Sequence, residues 1–154
     1  RVPVFLWRGG MASNGRIVRQ PLHVMDVAPT ILTAANISIP RKPYVYQGIE
    51  RAPMRGKSFI SLFKNPKTRI HDVDTVFATE LFGRRAVRMD NWKIILEEIP
   101  WGRERWELFN LAEDPGETND LSSNFPQIVA RLNAHWEEYV KDVGVVLPDK
   151  MTGY

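Results

Sequence analysis

The segment 124–144 constrains the fold more than any other part of this sequence. Ile128, Val129, Leu132, Trp136, Tyr139, Val140 and Val143 recur at helical spacing. A helix with such a stripe is stable only when a second layer covers it. Asn124 is placed to cap that helix, and Gln127 follows three residues on, as in a capping box. Pro126 falls in the first turn and Gly144 at the stop. The second layer is supplied directly upstream. Segments 73–82, 86–88 and 92–96 favour β-branched and aromatic residues, with turn signals at Gly83-Arg84 and Asp90-Asn91. Segment 106–111 alternates as a fourth strand, and Asp114-Pro115-Gly116-Glu117 is a tight turn. The pattern predicts an α+β fold, a small antiparallel sheet of about four strands with the long C-terminal amphipathic helix across one face.

The first part of the chain reads differently. Residues 2–7 are apolar apart from Pro3 and are closed by Arg8-Gly9-Gly10. Such a run is typical of a strand buried on both faces of a parallel sheet. No other segment resembles a parallel partner, so this strand is an orphan, and the abrupt apolar opening without Met reads as a cut through a larger protein. After a polar link at 13–16 comes a helix, with Asp26 as N-cap and Pro29 in the first turn. Val27, Thr30, Ile31, Ala34 and Ala35 recur at helical spacing, and Asn36 is its stop. Segment 38–66 is a long connection broken by Pro40, Pro43, Pro53, Pro66, Gly48 and Gly56, with one helical turn at 59–63. The expected division is 1–66 (strand, helix, connection) and 67–154 (sheet and helix).

Composition excludes several chemistries. There is no Cys, hence no thiol nucleophile, disulfide, zinc–cysteine site or iron–sulfur cluster. Compartment stays open, because many secreted bacterial domains also lack Cys. The net charge of +3, from 21 basic against 18 acidic side chains, does not point to nucleic acid. No stretch approaches the ~18 apolar residues of a membrane span.

Among polar residues, no catalytic constellation emerges. His71, Asp72 and Asp74 are metal-ligand types, but in a charged loop they read as a solvated turn. His23 reads as a helix-entry contact and His135 as a boundary residue beside the apolar stripe. Gly56-Lys57-Ser58 mimics the end of a phosphate-binding loop, yet position 51 is Arg where that motif needs Gly. Arg84, Arg85, Arg88, Trp92 and Lys93 form a basic-aromatic run that strand alternation splits between two faces. Glu97, Glu98, Glu104 and Glu107 read as a polar hairpin rim. Asn36-Ile37-Ser38 is a formal glycosylation sequon. The reading therefore assigns no catalytic, cofactor-binding or metal residue.

The order of segments resembles the formylglycine-dependent sulfatases, specifically the C-terminal portion of a bacterial-type arylsulfatase of the alkaline-phosphatase-like superfamily. The opening apolar strand resembles the one after the family's late Gly-Gly loop. Residues 23–32 are similar to its Asp-x-x-Pro-Thr helix, and Arg55-Gly56-Lys57-Ser58-Phe59 fits the Gly-x-Ser segment that follows. Residues 80–88 with Trp92-Lys93 resemble its strand pair. Residues 106–111, then Asp114-Pro115-Gly116-Glu117 and Asp120-Leu121, match its C-terminal signature.

The resemblance implies that 1–66 is the tail of the large α/β sulfatase domain and 67–154 the C-terminal subdomain. It implies a sulfate-ester hydrolase whose formylglycine nucleophile and divalent cation, calcium in most members, are held by upstream segments. The family's late Lys would lie shortly before Arg1. Ser38-Ile39-Pro40-Arg41 is one residue short of Cys/Ser-x-Pro-x-Arg and is a decoy. The expected partners are the upstream catalytic domain and a small sulfate ester, with no nucleic acid, and self-association of the isolated chain through its exposed strand. The chain alone is expected to be inactive, with a structural role and a pocket-rim role for Arg and Trp residues around 101–106. Two alternatives stay open: a stand-alone interaction module, and a related phosphoester or phosphonate hydrolase.

Overall fold

The computed structural model describes residues 3–6, 15, 17–39 and 44–148. The chain forms two compact units, Arg1–His71 and Asp72–Tyr154.

In the second unit, β3 (Val76–Leu81), β4 (Arg84–Met89), β5 (Trp92–Leu96) and β6 (Glu107–Asn110) form an antiparallel meander in sequence order. The first hairpin turns at Phe82-Gly83, both at positive φ, because Leu81 pairs with Arg84. Two left-handed residues match the twist of the flanking strands. Arg84 is thus a strand residue and not the turn residue the sequence suggested. The segment 73–75 is likewise outside β3, closed by a turn from Thr75 N–H to the Asp72 carbonyl.

Strand register places Val76 and Ala78 of β3, Val87 and Met89 of β4, Trp92 and Ile94 of β5 and Leu108 of β6 on one face. Helix α2 (Pro126–Val143) lies on that face, with Leu132 and Trp136 buried against it. Trp136 meets Trp106 edge-on at 5.9 Å and Tyr139 at 5.7 Å. Burial of side chains this size contributes roughly 1.5–3 kcal/mol each. Val143, the last residue of the stripe, is exposed instead of packed. Gly144 ends α2 in the left-handed conformation, as expected.

The start of α2 differs from the expected capping box. Phe125 occupies the N-cap and no side chain caps the helix. Asn124 and Phe125 both donate backbone N–H to the Leu121 carbonyl, so a turn is spent before the helix begins. Phe125 instead packs on Trp92 at 5.4 Å, and Pro126 removes one N–H that the first turn would leave unpaired.

In the first unit, a short 3₁₀ turn, Val24–Asp26, runs into α1 (Val27–Ala34). Asn36 takes φ 57° just past α1, with Ile37 N–H on the Leu32 carbonyl and Asn36 N–H on Thr33. This is a Schellman closure, with Asn in the position that usually takes Gly. Within the long connection, β1 (Val45–Tyr46) and β2 (Ile49–Glu50) form a small hairpin that the proline count concealed. The expected helical turn appears as a 3₁₀ turn, Ile60–Phe63. Phe59, Leu62 and Ile70 form this unit's small core. Of the apolar opening segment, Pro3–Leu6 have no sheet partner among the described residues, and Val4, Phe5 and Leu6 are exposed. Val2, Trp7 and Arg8-Gly9-Gly10 lie outside the described residues.

Candidate functional site: two carboxylate hubs and an exposed arginine–tryptophan pair

Asp26 sits at the N-cap position of α1, as the sequence suggests, but its side chain does not cap that helix. It is fully buried and turned back on three donors. Oδ2 accepts from His23 N–H at 2.8 Å and lies 2.7 Å from His71 Nε2, while Oδ1 accepts from Lys57 N–H at 2.8 Å. Burial pushes this carboxyl up, yet the bonds from His23, His71 and Lys57 outweigh it and hold the group below the ordinary value. Asp26 is therefore a carboxylate at neutral pH, tying together segments 31 and 45 residues away.

The rest of the Asp-x-x-Pro-Thr pattern has matching roles. Pro29 is buried. Thr30 Oγ1 donates to the Asp26 carbonyl at 2.6 Å and accepts from Phe59 N–H at 3.0 Å. Gly56 is needed because a Cβ there would lie 1.9 Å from the Met25 carbonyl oxygen. The phosphate-loop mimic is thus a strap laid across the helix entry, its Lys57 amide facing a carboxylate. Gln20 holds the adjoining chain, donating to the Thr68 carbonyl and accepting from Ile70 N–H.

His71 corrects the solvated-turn expectation. It is buried against Asp26, whereas Asp72 and Asp74 are exposed. An Asp–His pair is two thirds of a hydrolytic triad by type. Here the Thr30 hydroxyl, four residues on from Asp26, is committed to backbone partners. The pair's described contacts tie three chain segments together. Among the described residues no group of three or more His, Asp or Glu converges as metal ligands. The donor set therefore does not fit the divalent cation that the family resemblance implies.

The remaining candidates are dispersed. His23 Nδ1 accepts from Met25 N–H, a helix-entry contact as expected. His135 lies beside the stripe with Nδ1 3.0 Å from Glu138. Register sends Arg84, Arg88 and Lys93 to the face away from α2, and Arg85 and Trp92 to the face toward it. Lys93 Nζ meets both carboxylate oxygens of Glu117 at 2.7 and 2.6 Å. In the polar rim, the carbonyls of Glu97 and Glu98 close the loop onto Glu104 and Trp101, and Glu107 meets Arg103 at 3.4 Å. Within that loop Trp101 is 50% exposed, with the Arg84 guanidinium 5.7 Å above its ring.

A second hub, Asp120, was not singled out as a site by sequence, although it lies in the C-terminal signature. Oδ1 accepts from Leu108 N–H (3.1 Å) and Ser122 N–H (2.9 Å), and Oδ2 from Arg105 (2.7 Å). Leu121 N–H returns to the Leu108 carbonyl. The outer edge of β6 is thereby closed by a side chain and a loop, one way a sheet avoids a free edge. Partial burial raises the Asp120 carboxyl, but the donors from Ser122, Leu108 and Arg105 bring it down to about 2. Asp114, in the preceding turn, is lowered mainly by Asn119 N–H and Thr118.

No family model matches the chain. Uncharacterized sulfatase PB10D8.02c of Schizosaccharomyces pombe is 37% identical over 123 residues, which are 80% of this chain and 22% of that protein. The solved structure of Ps i-CgsB superposes with a TM-score of 0.54 at 20% identity, covering 77% of this chain and 24% of that one. BT4656, solved in complex with its substrate D-glucosamine-2-N,6-O-disulfate, gives 0.50 at 18% identity, covering 75% of this chain and 23% of that one. The chain thus spans about a quarter of the length of the proteins it matches. The curated match over four fifths of the sequence, together with the shared fold, makes the chain similar to one stretch, about a quarter in length, of a sulfatase.

Proposed function

We propose that the chain is the C-terminal part of a sulfate-ester hydrolase of the arylsulfatase type, with catalysis located elsewhere in the full polypeptide. The observation that carries this reading is the match to a sulfatase over 80% of this chain but only 22% of that protein. Residues 1–66 then end the large α/β domain and 67–154 form the C-terminal subdomain. Formylglycine and a divalent cation, calcium by resemblance, would supply the nucleophile and charge neutralisation. This chain's described residues do not converge on such a cation. Their own part is structural: Asp26 fixes the helix entry, and Asp120 closes the sheet edge. The exposed Trp101–Arg84 pair supports a place at the pocket rim, where an aromatic face and a guanidinium suit a sulfated ring.

The test begins with the reading frame upstream of Arg1. It is expected to hold Cys/Ser-x-Pro-x-Arg, early Asp ligands and a late Lys; a stop codon or an unrelated domain overturns the proposal. The full polypeptide is expected to hydrolyse aryl sulfates in preference to aryl phosphates, and Trp101→Ala to raise KM more than it lowers kcat. The 154-residue chain alone is expected to hydrolyse neither. A preference for phosphate would move the assignment to a related phosphoester hydrolase. The 91% exposure of Phe5 also supports self-association of the isolated chain, read by light scattering across concentration.

A further inference from the structure

Helix α1 and its entry are built with their polarity reversed. The side turned toward its own unit buries Asp26, Pro29 and Thr30. The outward side presents Val24 (77% exposed), Val27 and Ile31 (60% exposed), spaced i, i+3, i+7, with Met25 and Ile37 also exposed. Between residues 24 and 39 the only charged side chain is Asp26, which is buried. Even the Thr33 hydroxyl is satisfied within the helix, donating to the Pro29 carbonyl at 2.7 Å. A solvent-facing helix side carries charge, and so does an interfacial membrane helix, whose polar face is rich in Lys and Arg. This side has neither, so its composition is that of a protein interior.

We infer that the outward side of α1, centred on Val27 and Ile31, is an interaction surface that packs against the catalytic portion of the sulfatase, the remaining length of polypeptide that this chain does not supply. The inference rests on the functional reading above. Its occupant follows from two observations: the surface lacks charge, and nearly four fifths of the curated relative lies outside the matched 22%. The unit's own hydrogen bonds fix how the surface is presented. The Asp26 hub and the Gly56 strap hold the inner side, so among the described residues of its unit the apolar side faces outward.

The chain contains no Cys, which makes thiol labelling a clean readout. Val27→Cys and Ile31→Cys are made singly, with Val146→Cys, at a position 86% exposed in the second unit, as the control. Each is labelled in the isolated 154-residue chain, and again in a chimera where this chain replaces the 123 matched residues of the S. pombe relative. Peptide mapping separates these sites from the relative's own thiols.

Both α1 cysteines are expected to react about tenfold or more slower in the chimera, equivalent to about 1.4 kcal/mol of opening free energy, while Val146→Cys is unchanged. Labelling of either α1 site at the isolated-chain rate overturns the inference. So does protection that appears in the isolated chain as its concentration rises, which would assign the surface to a second copy. The same labelling, on the chain mixed with the relative's polypeptide lacking the matched residues, covers a chimera that does not fold. Sulfate-ester hydrolysis by the chimera is read separately. Hydrolysis with unprotected cysteines sinks the docking surface alone; protected cysteines with phosphate but not sulfate hydrolysis sinks the functional reading alone.

Discussion

Asp120→Asn tests how the sheet edge is held. In the folded chain Asp120 accepts two backbone N–H groups and the Arg105 guanidinium, and its carboxyl titrates at about 2. An unfolded aspartate titrates near about 3.9, and each pH unit of separation corresponds to about 1.4 kcal/mol, which gives roughly 2.5 kcal/mol for the ionised group. Arg105 and Arg103 are 47% and 62% exposed, so solvent screens their share. About 1–2 kcal/mol remains. Asn keeps Oδ1 as a neutral acceptor for both Leu108 and Ser122 but turns an NH₂ toward Arg105, so the part of that contribution that depends on charge is lost at neutral pH.

The sign follows from the lowered value. A carboxyl depressed in the folded state stabilises it above the unfolded value, and that contribution disappears as pH falls through the folded one. Urea unfolding of the full chain, followed by fluorescence of Trp106 and Trp136, should place Asp120→Asn about 1–2 kcal/mol below the parent between pH 5 and pH 7. The gap should narrow from about pH 4 and close near pH 2. Other acidic groups titrate in both proteins and cancel in the difference. A gap that stays constant from pH 7 down to pH 2 would refute the reasoning, because it would mean the charge on Asp120 does not carry the effect.

Two substitutions probe the packing of each unit. Leu132 is fully buried in the cluster with Val87, Met89, Ile94, Leu108 and Trp136, so Leu132→Ala is expected to cost about 3 kcal/mol in urea unfolding. A loss below about 1 kcal/mol would contradict the close packing of α2 on the sheet. Gly56→Ala would place a methyl 1.9 Å from the Met25 carbonyl, forcing the strap off the helix entry. It is expected to cost about 3 kcal/mol in the first unit, read as lost hydrogen-exchange protection at Lys57 and Phe59; unchanged protection would show that the strap is not in contact.

The second unit was legible because its determinants are local. Each strand carries its own propensity, the first two hairpins close over Phe82-Gly83 and Asp90-Asn91, and the stripe of α2 meets a sheet built from the strands just before it in sequence. The details that failed were those where tertiary contact replaced a local signal. Phe125 took the N-cap over Asn124 because its ring packs on Trp92. Val143 kept the period of the stripe but ran past the sheet it was expected to meet.

The first unit shows what periodicity leaves undetermined. The recurrence of Val27, Ile31 and Ala34 correctly marks a helix, since spacing depends only on the turn of the backbone. It says that one face is apolar, not what that face meets. The inner side of α1 is chosen by Asp26, whose partners lie 3, 31 and 45 residues away and leave no mark at local spacing. Once that carboxylate is fixed by His23, Lys57 and His71, turning the helix to hide Val27 and Ile31 would strip a buried charge of its donors, at a cost of several kcal/mol. Exposing two or three aliphatic side chains costs a comparable amount, about 1.5–3 kcal/mol each. The polar hub holds the observed orientation against that cost, which docking of the outward side, as proposed above, would recover. The carboxylate that looks like a helix cap is thus the reason the apolar face of α1 stays on the outside of its unit.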